Sequence, residues 1–281
     1  MARPHIEFVQ SQVIPFAEGM PGGIRPDVHC RTLSQDDETG ALSAVVRYRP
    51  GWSLEASQIL GVDEEIFVLE GSLEINGQSY GKHYYGHLPA GYVRQHMSCA
   101  SGAVVLSFFS GAPCSITASE CDRRRLVEHL DTRALGGNTG KREHMRSGTW
   151  DPSGTIHKTL FVDPDTGERT WLIGMMPYWS SNKAEVHPVA EEEFAILGDI
   201  CFPMGVMRAG GYFWRPAGIP HGPFASWGGA LHLCRCKGGA FATEWVATDG
   251  PNWNPIYEPI LPPTYMAYVK SHAGLDVEPN Y

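Results

Sequence analysis

The chain has 281 residues, 42% of them hydrophobic and 19% charged, which is enough apolar content for packed cores and enough length for two domains. Its formal net charge of −9, with no basic stripe beyond Arg123–Arg125, argues against a nucleic-acid partner. No run approaches the roughly 20 apolar residues that span a bilayer, so no membrane role is expected.

Glycine (32) and proline (21) are abundant, which favours many short strands joined by turns over long helices. The opening MARPHIEFVQSQ lacks the apolar segment of a signal peptide and already carries Glu7. The seven cysteines form no CxxC pair, so reduced thiols and a cytoplasmic location are expected. Residues 44–48, 65–75, 84–89 and 103–107 are rich in Val, Leu, Ile and aromatics between turn residues, and read as strands. The stretch SECDRRRLVEHL, 119–130, reads as a helix, and 136–154 as a loop. A second set of strands follows at 170–176, 193–202, 211–215 and 230–235. The tail, 251–281, is rich in proline and aromatics and is expected to clamp onto a preceding domain or a partner subunit.

The two strand sets are copies. QILGVDEEIFVLEG (58–71) aligns with EVHPVAEEEFAILG (185–198), an offset of 198 − 71 = 127. The same offset places Pro50, Trp52 and Ser53 on Pro177, Trp179 and Ser180, and Pro89-Ala90-Gly91 on Pro216-Ala217-Gly218. No gap is needed from residue 36 to residue 111, a register too long for chance and a period too long for a solenoid.

In the second copy, Glu191 is followed after six residues by Gly198, and Pro216-Ala217-Gly218-Ile219-Pro220-His221 forms a PxGxxH run. These stretches resemble the two motifs of the cupins, small jelly-roll barrels in which two histidines of an HxH pair, a glutamate and a last histidine hold one metal. The resemblance covers about 36–111 and 163–238. It implies an all-β fold of two tandem cupin (double-stranded β-helix, jelly-roll) barrels related by internal duplication. On this reading 1–112 is an N-terminal barrel, 113–155 a connector, 156–245 a C-terminal barrel and 246–281 a tail. The stretch His221–Cys236 is similar to the ChrR-like subgroup of bacterial cupins.

The two HxH positions are here Glu185 and His187, so the implied metal ligands are Glu185, His187, Glu191 and His221. Glu185 and His187 are two apart and share one face of a strand. In the first copy the same positions hold Gln58, Leu60, Glu64 and Arg94, which reads as a barrel without a metal, with Arg94 paired to Glu64. One divalent metal per chain is therefore expected, Fe(II) first, with Mn(II), Ni(II) or Zn(II) as alternatives. Glu185 is a candidate base as well as a ligand. Glu192 and Glu193 read as a solvated strand edge, and His83, His87 and His96 as surface or interface residues. Met175, Trp179, Tyr212, Trp214 and His232 are expected to line a substrate pocket.

What similar cupins do implies an enzyme, an Fe(II) dioxygenase that cleaves a small diketone or aryl ketone. Two alternatives stand beside it: a non-redox metal-dependent lyase, isomerase or hydrolase, and a small-molecule or metal sensor of ChrR-like type. The first 35 residues lack the Cys/His spacing of an anti-sigma zinc module, which weighs against the sensor. A small-molecule substrate is the expected partner, and pairing through sheet edges makes a homodimer an expectation.

Overall fold

The computed structural model describes residues 3–118, 120–137, 154–272 and 281. The chain forms two compact units, one of Ile14–Leu135 with Met1–Pro4 and Tyr281, the other of Gly136–Asn280 with His5–Val13. Both are β structures.

The first unit holds a ten-stranded antiparallel sheet. Along its main path lie Val127–Asp131, Tyr84–Leu88, Glu64–Ile75, Ala103–Phe109, Leu42–Tyr48, Val28–Gln35 and Ala17–Glu18. In the second unit the path of a nine-stranded sheet runs Ile6–Gln10, Gly211–Arg215, Ala190–Phe202, Ala230–Lys237, Arg169–Met175 and Thr155–Val162. Five strands of each path recur in the same order. Val28–Gln35 and Thr155–Val162 match at 155 − 28 = 127, and Tyr84–Leu88 and Gly211–Arg215 at 211 − 84 = 127. In each unit a strand from outside the repeat flanks the first of these, Val127–Asp131 beside Tyr84–Leu88 and Ile6–Gln10 beside Gly211–Arg215.

The end strands of each path do not pair with one another, so the closed barrels expected from sequence are not formed by the described residues. Each long strand instead turns from the main sheet into a ladder of shorter ones. Glu64–Ile75 passes to Gln78–Gly81 and Met97–Cys99, and Ala190–Phe202 to Gly205–Arg208 and Phe224–Ala225. The change of direction needs glycine. Gly71 (φ 69°) and Gly198 (φ 77°) are left-handed, and a Cβ on either would sit 1.9 or 1.8 Å from the carbonyl oxygen of Gly102 or Gly229.

Apolar residues on the inner faces build the cores. In the first unit Leu42, Val46, Leu60, Val68 and Phe109 are fully buried together. In the second, Phe8, Trp179, Ile200, Phe202 and Phe213 form one cluster, and Trp171, Val189, Cys234 and Cys236 another. Each large apolar side chain contributes roughly 1.5–3 kcal/mol by leaving water.

Two local expectations are corrected. The helix expected over 119–130 is not formed by the described part: Arg123–Arg125 make one 3₁₀ turn, capped by the Asp122 carboxylate, and Val127–Asp131 is a strand. Its ladder with Tyr84–Leu88 supplies partners that outweigh helix propensity. His87 is buried rather than superficial, because it lies on Tyr84–Leu88, a strand covered along most of its length. Of the expected 136–154 loop, 138–153 lie outside the described residues. In the tail, Tyr257 donates a hydrogen bond to the Phe8 carbonyl (2.8 Å), Ile260 exchanges backbone bonds with Glu7, and Pro263–Ser271 is an α-helix with no buried residue. No helix among the described residues is long and apolar enough to cross a membrane.

Candidate metal centre

Glu185 lies on the strand Lys183–Val186, whose outer partner is Glu244–Ala247. Its backbone also exchanges two hydrogen bonds with His221, at 2.8 and 3.0 Å. The motif turn Pro216–Pro220 thereby brings a residue 36 positions away (221 − 185) to the same ladder rung. His187 follows the strand directly, and the Gly218 amide donates to its carbonyl. Glu185, His187 and His221 then offer three donor atoms that all lie within 4.8 Å of one another.

The imidazoles are pre-set. His187 Nδ1 faces the Ala242 carbonyl at 2.8 Å, and His221 Nδ1 faces the Ile219 carbonyl at 3.0 Å. A carbonyl only accepts, so each neutral ring carries its hydrogen on Nδ1 and aims the Nε2 lone pair at the centre. His187 Nε2 is buried and lacks a hydrogen-bond partner. It sits 3.5 Å from Glu185 Oε2 and 3.7 Å from Glu191 Oε2, while His221 Nε2 is 3.3 Å from Glu191 Oε2. Lone pairs and anionic oxygens crowded this closely are reconciled by a cation between them or by protons on the imidazole Nε2 atoms. Two imidazoles with carboxylates suit Fe, Mn, Ni or Zn, and the separations fit donors around an ion at about 2.1 Å.

Glu191 reaches the centre from Ala190–Phe202, but it is shared. Its Oε2 also accepts from Arg215 Nη1 at 2.7 Å, and Arg215 gives its other donors to Glu7, with Nε to Oε2 at 2.7 Å. Arg215 and Glu7 are fully buried, and Glu7 comes from the N-terminal strand Ile6–Gln10. Burial alone would raise the Glu7 carboxyl, but Arg215 and His5 outweigh it and lower it to about 2. Glu191 is likewise held well below the usual carboxylate range, where burial is overcome by His187 and His221 in their protonated forms and by Arg215.

The centre opens on a cavity of about 60 Å³, room for a few waters or a small organic molecule at ~15 Å³ each for water. Met175 and Trp179 line it. Tyr212, Trp214 and His232 do not. Side chains on Gly211–Arg215 alternate, and the cavity face belongs to Phe213 and Arg215. Tyr212 points to the other face, where its hydroxyl donates to Glu192 at 2.7 Å. His232 stands behind Glu193, with its Nδ1 bonded to Glu193 Oε1. Cys234 donates to the other oxygen of Glu193 at 3.4 Å. Glu192 and Glu193 are thus buried and partnered, not a solvated edge: Arg235 and Tyr212 hold the first, His232 and Cys234 the second. Sequence reasoning missed Arg215, Glu7, Phe213 and Glu193. Only the charge of Arg215, directly before the turn that delivers His221, marked it out.

In the first unit Glu64, Gln58 and Arg94 occupy the matching positions, and the carboxylate serves arginines there. Arg94 donates to Glu64 at 2.9 Å as expected, and Arg25 grips the same carboxylate with two bonds of 2.7 and 2.6 Å.

No curated protein matches the sequence. Solved structures share the cupin fold. A protein of Nostoc punctiforme, provisionally described as a dioxygenase, superposes with a TM-score of 0.72 at 19% identity, covering 86% of this chain and 91% of its own. A point mutant of Bacillus subtilis oxalate decarboxylase gives a TM-score of 0.55 at 12% identity over 86% and 79%. A Pseudomonas syringae protein of the DUF861 family, of unknown function, gives 0.50 at 14% over 83% and 100%. Residues 7–242 match the family described as "Domain of unknown function (DUF4437)", and the chain belongs to it.

Proposed function

We propose that the chain is a metal-dependent enzyme in which one divalent ion, Fe(II) first, sits between Glu185, His187, Glu191 and His221 and serves oxygen-dependent cleavage of a small diketone or aryl ketone. The observation that carries this is the pair of buried imidazoles, each with Nδ1–H committed to a backbone carbonyl and Nε2 aimed at a shared point beside carboxylates. When bound, a divalent ion supplies Lewis acidity toward a carbonyl oxygen, and iron adds redox chemistry toward O2.

The chain's own residues set the substrate class. Trp171, Trp179, Phe202, Phe213 and Phe224 wall the cavity, exclude water and pack an apolar or aromatic body. Glu185, Glu191 and Glu193 at the wall, with Glu7 behind them, set four carboxylates against the Arg215 guanidinium and the divalent ion, which leaves an excess of negative charge. The balance disfavours a dianion such as oxalate relative to an uncharged carbonyl compound. This separates the proposal from the reaction named for the Bacillus neighbour. Glu193, oriented by His232 and Cys234, stands at the wall to accept or return a substrate proton.

The test is purified protein loaded with Fe(II) under anaerobic conditions, then exposed to O2 with neutral diketones and aryl ketones. Substrate-dependent O2 uptake that stops when Zn(II) replaces iron supports oxygenase chemistry. Turnover that persists with zinc assigns the non-redox lyase, isomerase or hydrolase reading instead, for which the buried acid–base group Glu193 is the favouring observation. Loss of neither metal nor turnover in His187→Ala or His221→Ala overturns both.

Two tandem units descended by duplication, only the second keeping a metal site, complete the proposal; the shared strand order and the 127-residue offset support it. The ChrR-like affinity rests on the stretch His221–Cys236 alone. Seven free thiols suit a reducing cytoplasm, and a homodimer through sheet edges is the proposed assembly.

A further inference from the structure

The geometry points to Glu185, rather than Glu191, as the carboxylate ligand: Arg215, clamped by Glu7, withholds Glu191 from the ion. The inference rests on the reading of this site as a metal centre. It reverses the roles the motif assigns, since the motif's glutamate is Glu191 and Glu185 stands where the motif has a histidine.

Two independent observations carry it. The first is competition for one atom. The Glu191 oxygen that faces both histidines, Oε2, is the same oxygen that accepts from Arg215 Nη1 at 2.7 Å. An ion about 2.1 Å from that oxygen would lie within roughly 5 Å of the guanidinium, in a site too dry to screen two cations. Arg215 cannot swing aside, because it is 1% exposed and its remaining donors are fixed on Glu7, itself 2% exposed. Glu185 belongs to the set of three donors that converge, and its backbone shares a ladder rung with His221. The second observation is the twin position. Glu64 of the first unit matches Glu191 in the repeat, and its carboxylate accepts from Arg25 and Arg94. The glutamate at this position is therefore an arginine partner in both units.

The consequence is a face of one carboxylate and two imidazoles, which leaves open positions on a six-coordinate ion for substrate and a small co-reactant. It also makes the N-terminal strand Ile6–Gln10 part of the site: Glu7 is the positioning residue that keeps Arg215 on Glu191.

Co(II) binding to the full chain tests this without any turnover, read as affinity and as the visible ligand-field spectrum. Glu185→Gln is expected to weaken Co(II) binding by at least about 100-fold, beyond the 10–100-fold effect of an outer partner. Glu191→Gln is expected to weaken binding by no more than the roughly 10–100-fold of an outer partner, less than Glu185→Gln does, and to leave the band positions unchanged. Equal loss in both variants, or loss in Glu191→Gln alone, overturns the inference. If Glu191→Gln fails to fold, Glu185→His decides. Glu185 is partly exposed (18% of its side chain) and tolerates exchange. A third imidazole must shift the bands, and an unshifted spectrum overturns the inference. A wild-type chain that binds none of Co(II), Fe(II), Mn(II) or Zn(II) sinks the metal-centre reading itself, whereas a wild type that binds while Glu185→Gln is unaffected sinks only this assignment.

Discussion

Replacing Glu7 with Gln isolates the charge clamp behind the centre. Glu7 is lowered from the ordinary 4.5 to about 2 in the folded chain, because Arg215 and His5 overcome the cost of burial. Holding the carboxylate ionised that far below its ordinary value corresponds to roughly 3 kcal/mol of stability at neutral pH, the order of what losing one partner of a buried ion pair costs. The folded value is depressed, so this contribution is complete above pH 4.5 and lost as pH falls toward 2. At pH 3, just above the folded value, on the order of 1 kcal/mol remains. Urea unfolding followed by tryptophan fluorescence is the assay. Trp52 is the only tryptophan of the first unit, so the signal reports on the second, where Glu7 packs. With a urea dependence of roughly 1–3 kcal/mol per molar, the midpoint should drop by about 1–3 M at pH 7. The gap between wild type and variant should shrink by more than half by pH 3. A gap below about 1 kcal/mol at pH 7, or one unchanged at pH 3, refutes the claim that an ionised Glu7 is held by Arg215.

Three further outcomes follow from other parts of the molecule. His187→Ala and His221→Ala should each weaken divalent metal binding by at least about 100-fold in a competition titration, with the fold intact by circular dichroism. Glu64→Gln should cost the first unit about 3–5 kcal/mol, since Arg25 and Arg94 then lose the carboxylate they share, while metal stoichiometry by elemental analysis stays at one per chain. Gly198→Ala should destabilise by on the order of 3 kcal/mol or more in chemical denaturation, because it adds a left-handed alanine and a Cβ 1.8 Å from the Gly229 oxygen; Gly71→Ala should do the same in the first unit.

The strands were legible because apolar residues and turn glycines punctuate them, and the 127-residue register doubled every signal. His187 and His221 were legible because a motif ties their spacing to a turn. The phase of Gly211–Arg215 was not. All five residues, GYFWR, are buried, so no polar side marks which face meets the cavity, and Phe213 and Arg215 stand where Tyr212 and Trp214 were expected. The glutamates at 192 and 193 were hidden for a related reason: a charge run reads as solvated unless its partners are visible. Those partners are Tyr212 and Arg235 for Glu192, and His232 and Cys234 for Glu193, all on neighbouring strands. The contribution of Ile6–Gln10 was hidden most deeply. The repeat starts at residue 36, and nothing local to IEFVQ says that it pairs with Gly211–Arg215, far along the chain.

The contrast between the twin units has an electrostatic logic. A buried carboxylate at position 64 or 191 is tolerable only beside positive charge. The first unit supplies that charge covalently. Arg94 stands where the second unit has His221, and Leu60 where it has His187, so the histidine donors are gone and two guanidinium groups close the place. The second unit also supplies an arginine, but from Gly211–Arg215 and outside the ladder rung of Glu185 and His221. That displacement satisfies Glu191 without filling the space between the imidazoles. A metal site at this position therefore depends less on keeping the motif's glutamate than on where the compensating arginine enters. On the proposed reading, moving the guanidinium from the 215 position to the 221 position would convert a cation-binding centre into an internal ion pair on the same scaffold.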